Sequence, residues 1–300
     1  MTDVRAFSFR LPSSSPTTLA AIRIVIAAQA LWILLSRDPA GVSAMPSIVW
    51  EGVPQDWRLR FLLVPGFPAV ESFLWACAVA SITCVLLGFR TRVFGIVAAV
   101  LLYHIAPLQA LLAVAGPWGK GLTVATLCLP ILACAPCDDR WSIAGLRRDP
   151  PIRDPDAYAW AVMIVRLAFA QIYLFSALGR LLAGGLSWAG IESVRHHIMI
   201  FRLAEPTLDT PFNAWIVAHP LLCAFLAGGV LAFELLFIVA VFVRRVRGPL
   251  ALLGVFFHVG LWTTLGFRFL NLPHFLLFVD FDRNTRRDLP TRTESRADAR

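Results

Sequence analysis

PLLCAFLAGGVLAFELLFIVAVFV, residues 220–243, carries one charged side chain, Glu234, in 24 positions. A helix crossing bilayer hydrocarbon needs about 20 mostly apolar residues. Pro220 suits a first helical position, where its missing N–H costs nothing. Arg244, Arg245 and Arg247 close the run. Similar runs appear outward from it: Thr17–Leu35, Phe67–Leu87, Val93–Ala115, Trp118–Ala135, Tyr158–Leu182 and Pro249–Leu265. Pro16 precedes the first of them, and Thr17 and Thr18 are candidate caps. Leu270–Phe281 is apolar but too short to span alone. It is either a half-helix or the completion of a kinked helix begun at Pro249, because Gly266 and Pro273 punctuate the run. The expected fold is all-α: a polytopic transmembrane bundle of seven or eight membrane helices, with interfacial helices in its long links.

Composition agrees. Hydrophobic residues make up 58% of the chain, charged residues only 15%, and the mean hydropathy is +0.71. A soluble domain has about a quarter of its residues charged, and a soluble core cannot absorb this much apolar surface. The formal charge of +8 has an explanation other than nucleic acid. Most arginines sit in short links between apolar runs, where they orient helices. Arg5, Arg10, Arg90, Arg92, Arg140, Arg147, Arg148, Arg153, Arg244, Arg245 and Arg247 fall on one face. They outnumber Arg37, Arg58, Arg60, Lys120, Arg195 and Arg202 on the other. The N-terminal segment 1–16 and the basic tail 283–300 are therefore expected in the cytoplasm, flanking a membrane domain over 17–282. The first apolar run is longer than a signal-peptide core and is expected to remain as an uncut helix. Asp282–Arg300 lacks apolar residues to bury and is expected to be disordered.

Two links are long, Ser36–Gly66 with Trp50 and Trp57, and Ala183–His219 with Trp188, His196, His197 and Trp215. Ile191–Ala204 alternates apolar and basic residues at roughly helical spacing. It is either a helix lying on the membrane or a plain loop.

A charge at the bilayer centre costs about 2.5–3.5 kcal/mol on insertion scales. Arg23, Arg166, Arg180 and Glu234 fall inside expected helices, as do Glu71, His104 and His258. Glu71 and Arg180 lie near helix ends and can snorkel to the interface. Arg166 and Glu234 are the expected partners, either as a buried ion pair that sets helix register or as part of a ligand pocket. The six histidines form no metal-ligand spacing, so no metal is expected. His104 and His258 either bracket a haem or line the bundle as core residues. Cys134-Ala-Pro-Cys137 has redox-type spacing, but no thioredoxin-like βαβ pattern surrounds it. Cys77, Cys84, Cys128 and Cys223 read as small packing residues. No phosphate loop or nucleophile elbow is present.

One stretch is more specific. Tyr173-Leu174-Phe175-Ser176-Ala177-Leu178-Gly179-Arg180-Leu181, followed by Trp188-Ala189-Gly190, resembles the Tyr-x-x-(Ala/Ser)-Gly-x-x-Lys-Leu and Trp-x-x-Gly signature of the HTTM superfamily. That is the membrane domain of vitamin K-dependent gamma-glutamyl carboxylase and its bacterial relatives. Leu19-Ala20-Ala21-Ile22-Arg23-Ile24 resembles the family's first helix, and Leu87-Gly88-Phe89-Arg90-Thr91-Arg92 its Gly-(Tyr/Phe)-x-(Thr/Ser)-Arg turn. Arg140-Trp141-Ser142-Ile143, Glu234, Phe257-His258 and the Phe275–Phe281 run resemble the segments that follow.

The resemblance implies a quinone or vitamin K-like lipid as ligand. It also implies a base lysine at the position of Arg180. A buried lysine can shed its proton, whereas guanidinium keeps its own. Arg180 therefore suits an anion anchor and not a base. Little chain follows the membrane domain, where the animal carboxylases add a large propeptide-binding portion. Three readings follow: a binder of a quinone-like or lipid ligand at Arg180, Tyr173, Trp188, Arg166, Glu234 and Arg23; a carboxylase-like enzyme with His104 or His258 as base; and a structural or partner-binding membrane subunit. No broken helix pair in corresponding halves points to transport.

Overall fold

The computed structural model describes residues 14–36, 68–112, 118–143, 145–146, 153–266 and 272–281. Most of the Ser36–Gly66 link and the tail from Asp282 lie outside them, as do the expectations attached to them.

The described residues form helices and no strand. They are α1 (Pro16–Leu35), α2 (Pro68–Leu86), α3 (Thr91–Leu112), α4 (Trp118–Cys134) and α5 (Asp156–Gly184). After a 3-10 turn at Gly185–Ala189 come α6 (Ile191–Ala204), α7 (Pro211–Ala218), α8 (Pro220–Leu236), α9 (Val239–Phe242) and α10 (Arg244–Leu265). A 3-10 segment, Leu272–Phe278, closes the described chain. Five stretches are long and apolar enough to cross a membrane: Pro16–Leu35, Pro68–Leu86, Asp156–Ala189, Pro220–Phe242 and Arg244–Leu265. Thr91–Ile105 and Leu122–Cys134 are apolar but shorter.

Local chemistry sets most boundaries. Ser15 caps α1 by accepting from the Thr18 N–H at 3.0 Å, with Pro16 in the first turn. The long run at 220–243 tightens where Ala240 and Val241 donate to Phe237 and Ile238, three residues back. Val243 is extended, and the Arg247 guanidinium donates to the Ala240 and Val241 carbonyls freed there, at 3.0 and 3.2 Å. α10 therefore starts at Arg244, five residues before the expected Pro249. It stops at Gly266, whose φ of 68° is the left-handed C-terminal conformation that glycine adopts without strain.

Leu272–Phe278 is thus a separate element, and the kinked-helix alternative is wrong. Phe275 lies on Gly254, so that a Cβ there would overlap its ring. Farther along, Asp280 meets Arg247 and Arg244. The segment runs back along α10, against its direction, to the end where α10 begins.

α1 is the central helix: 67% of its apolar window is buried, against 17% for α10. Lipid tails are as apolar as leucine, so close contact between small side chains has to hold such a bundle. Ala20, Ala27 and Ala30 of α1 and Ala78 of α2 are fully buried. Gly95 of α3 approaches Ala133 of α4 so closely that an added Cβ would stand 2.9 Å from the alanine Cβ.

The links gather at two ends. At one, the Ile143 N–H donates to Leu87 O at 2.9 Å and the Phe281 N–H to Thr18 Oγ1 at 3.2 Å. Arg23, fully buried, donates to Cys137 O at 2.6 Å and to Trp141 O, holding the end of α4 to α1. Gly88, at φ 69°, turns between α2 and α3 against Ser142 and Arg23, where no side chain would fit. The links bearing Arg90, Arg92, Arg140, Arg153, Arg244, Arg245 and Arg247 therefore share this end.

At the other end, residues 185–218 form a helical layer, which rules out the plain-loop reading of Ile191–Ala204. Ile198, Ile216 and Cys223 make a small core of their own with Val194, Leu226 and Leu265. Asn213, fully buried, ties the layer to α10 by donating to Leu208 O at 2.8 Å and Thr264 O at 3.0 Å.

Candidate functional site

Arg166, Tyr173 and Arg180 stand seven residues apart on α5. Seven residues are nearly two turns, so the three side chains share one stripe, about 10.5 Å apart along the axis. The stripe faces α8, α10 and the closing segment, and each of its polar groups meets a different partner.

At the basic end, Arg166 donates from Nε to Leu277 O at 2.7 Å and from Nη2 to Asp280 Oδ1 at 2.9 Å. Arg247 reaches both oxygens of Asp280, at 3.0 and 2.9 Å, and Arg244 reaches Oδ2 at 3.0 Å. Burial alone would raise the Asp280 carboxyl. The three guanidiniums outweigh it and hold the group below the ordinary carboxylate range.

In the middle, the Tyr173 hydroxyl lies 3.2 Å from His258 Nε2, and His258 Nδ1 lies 2.8 Å from Gly254 O. A carbonyl only accepts, so the proton of neutral His258 is assigned to Nδ1, and Nε2 accepts from the tyrosine. Phe169, Phe233, Phe237 and Phe275 enclose the pair, with ring centroids 4.9–6.0 Å from that of Tyr173. Within this cage Tyr173 is 7% exposed and His258 3%.

At the far end, Arg180 pairs with Glu234 through Nη1. Its guanidinium carbon sits 4.6 Å from the centre of the Trp188 ring. Glu234 is 5% exposed at its side chain, whereas Arg180 is 32% exposed. Among the described residues, Arg180 Nε and Nη2 make no hydrogen bond. One edge of the fork is anchored and one face lies over the indole ring.

The expected Arg166–Glu234 pair is not formed. Glu234 lies on α8 at the level of Arg180, two helical steps of seven from Arg166, and Arg166 turns instead to Asp280. Arg180, Tyr173, Trp188, Arg166, Glu234 and His258 do lie along one side of the bundle. Arg23 does not join them: it binds carbonyls after α4. His104 is also apart. Its Nε2 lies 3.1 and 3.2 Å from the Glu71 carboxylate, across α2 and α3, which pack on α1 and α4. His104 and His258 thus belong to separate helix groups.

Cys134 is exposed, and Cys137 is buried with its Sγ 3.2 Å from Leu132 O. Burial pushes the Cys137 thiol up to about 11, despite Arg23 nearby, so no reactive thiolate forms there. Among the described residues no three His, Cys, Asp or Glu cluster as for a metal.

Sequence reasoning missed Asp280, Arg247 and Asn213. Asp280 carried a signal, a lone acid closing an apolar run. The seven-residue spacing of Arg166, Tyr173 and Arg180 was a second legible signal.

The sequence pattern of the HTTM domain matches residues 14–282 of the chain. No curated protein and no solved structure matches it.

Proposed function

The chain belongs to the HTTM domain family, and from that premise we propose that it binds a quinone-like or lipid ligand within the membrane bundle, anchored at Arg180. The carrying observation is the state of that guanidinium. Glu234 and Trp188 fix it in place, and its Nε–Nη2 edge is left for an anionic or strongly polarised oxygen. A guanidinium held this way binds charge in fixed geometry and does not take up a proton. Tyr173 and His258 lie farther along the same stripe, buried among aromatic rings.

The domain runs over 17–282 in seven or eight crossings, with the N-terminal segment and the basic tail cytoplasmic. The gathering of arginine-bearing links at one end of the bundle supports that orientation. Carboxylation is not part of this reading, because the residue in the position of the base lysine keeps its proton. If a base is present, His258 suits the role better than His104, since it shares the stripe with Arg180.

The second reading, a structural or partner-binding subunit, draws on the pairing of Arg166 and Arg180 with carboxylates. Binding separates the two. Purified protein titrated with a panel of quinones and lipids is expected to retain a quinone-like or lipid ligand, and Arg180→Gln to lose it. A wild-type protein that stays empty across the panel favours the subunit reading. Reduced vitamin K, labelled bicarbonate and a glutamate peptide are expected to give no label above a no-enzyme control. Gain of label in Arg180→Lys would identify Arg180 as the element that stops carboxylation.

A further inference from the structure

The basic end of the bundle holds a charge imbalance. Three guanidiniums, those of Arg166, Arg247 and Arg244, converge on the one carboxylate of Asp280. Guanidinium stays charged in proteins, so the cluster as described carries a net charge of +2. The side chains of Arg166 and Arg247 are each only 4% exposed, so water does little to solvate them. Arg166 Nε and Nη2 donate to the Leu277 and Val279 carbonyls, and Arg247 Nε and Nη2 to those of Ala240 and Val241. These are neutral acceptors, so among the described residues only Asp280 offsets the charge. Buried charge without a counter-charge is costly. The cluster opens at one point. Arg244 is 49% exposed, and its Nε lies 3.0 Å from Asp280 Oδ2. Arg245 beside it is exposed and has no ion pair among the described residues.

We propose that the Arg244–Arg245 side of this cluster binds a phosphate-type anion, which completes the neutralisation that Asp280 begins. Arg244 would present its free edge to two phosphate oxygens, the geometry in which a guanidinium binds phosphate best. Asp280 limits the site to one such anion, because a second would meet its carboxylate. Two sources share this chemistry, the headgroup of an anionic phospholipid and free phosphate. The site is independent of Arg180, which lies about 21 Å away along α5 by helical rise.

The test uses the full chain in nanodiscs of defined composition and reads the thermal unfolding midpoint. The arms are phosphatidylcholine alone, phosphatidylcholine with phosphatidylglycerol, and phosphatidylcholine with added inorganic phosphate. The expected result is a rise in midpoint with phosphatidylglycerol that Arg244→Gln largely removes. Arg92→Gln, which removes an exposed arginine from the same end but outside the cluster, should keep the rise. Titrating phosphatidylglycerol should show about tenfold weaker apparent affinity in Arg244→Gln, the loss of one charged hydrogen-bonding group. A rise with inorganic phosphate alone assigns the site to the free anion, and a rise with phosphatidylglycerol only assigns it to the headgroup. Asp280→Asn, if it folds, should gain more from the anion than wild type does. No rise in either arm, or equal loss in Arg244→Gln and Arg92→Gln, overturns the proposal.

Discussion

Removing either member of the Arg180–Glu234 pair should destabilise the protein, but not equally. Breaking a buried ion pair by deleting one partner costs about 3–5 kcal/mol, because the other charge is stranded. In Arg180→Leu the group that loses its arginine is Glu234, whose side chain is 5% exposed on α8. The cost should approach that range of about 3–5 kcal/mol. In Glu234→Leu the stranded group is Arg180, already 32% exposed near the end of α5 and stacked on Trp188. Its long stem can carry the charge outward, so the cost should stay near 1 kcal/mol, the range of a half-exposed pair. The double variant strands neither charge and should be more stable than Arg180→Leu alone, with a coupling of about 2–3 kcal/mol. Arg166→Leu combined with Glu234→Leu is the control, and its effects should add. Unfolding by sodium dodecyl sulfate in mixed micelles, followed by tryptophan fluorescence, measures these four variants and Arg166→Leu alone. Additive costs for Arg180 and Glu234, or coupling between Arg166 and Glu234, would refute the pairing.

Gly254→Ala forces a methyl into the Phe275 ring and should cost about 1–3 kcal/mol in the same assay; Phe275→Leu in the same chain should recover part of it, and a neutral Gly254→Ala would mean that the closing segment does not pack there. Asp280 titrates below its ordinary value in the folded protein, so the stability it adds is fully present above about pH 3.9 and is lost as pH falls through its lower folded value. Acid unfolding curves should show that loss in wild type, and Asp280→Asn should flatten it. Maleimide should label Cys134 in the folded protein and leave Cys137 unlabelled until denaturant is added, since the latter thiol is buried and raised to about 11; equal rates would contradict the burial.

The site was only partly legible beforehand. Arg180, Tyr173 and Trp188 stood out through their resemblance to a family signature, and Glu234 because an acid in a long apolar run demands a partner. The partner itself was misjudged. Helical periodicity tells which face a residue occupies, but not the depth at which a distant helix presents its own charge. Arg166 and Asp280 are 114 residues apart, and nothing local to either specifies the other.

The amino-acid sequence alone determined the solvent and the class. Apolar runs of membrane length, separated by arginine-bearing links, leave lipid as the surrounding medium, and lipid forces the backbone of each run to satisfy itself as a helix. Tertiary structure alone decided which charges meet, that residues 272–281 run back along α10, and that residues 185–218 cover one end as a helical layer. Those outcomes depend on the register and depth at which separate helices pack, set by close contacts such as Phe275 on Gly254 and Asn213 on the Thr264 carbonyl. No single segment encodes such contacts.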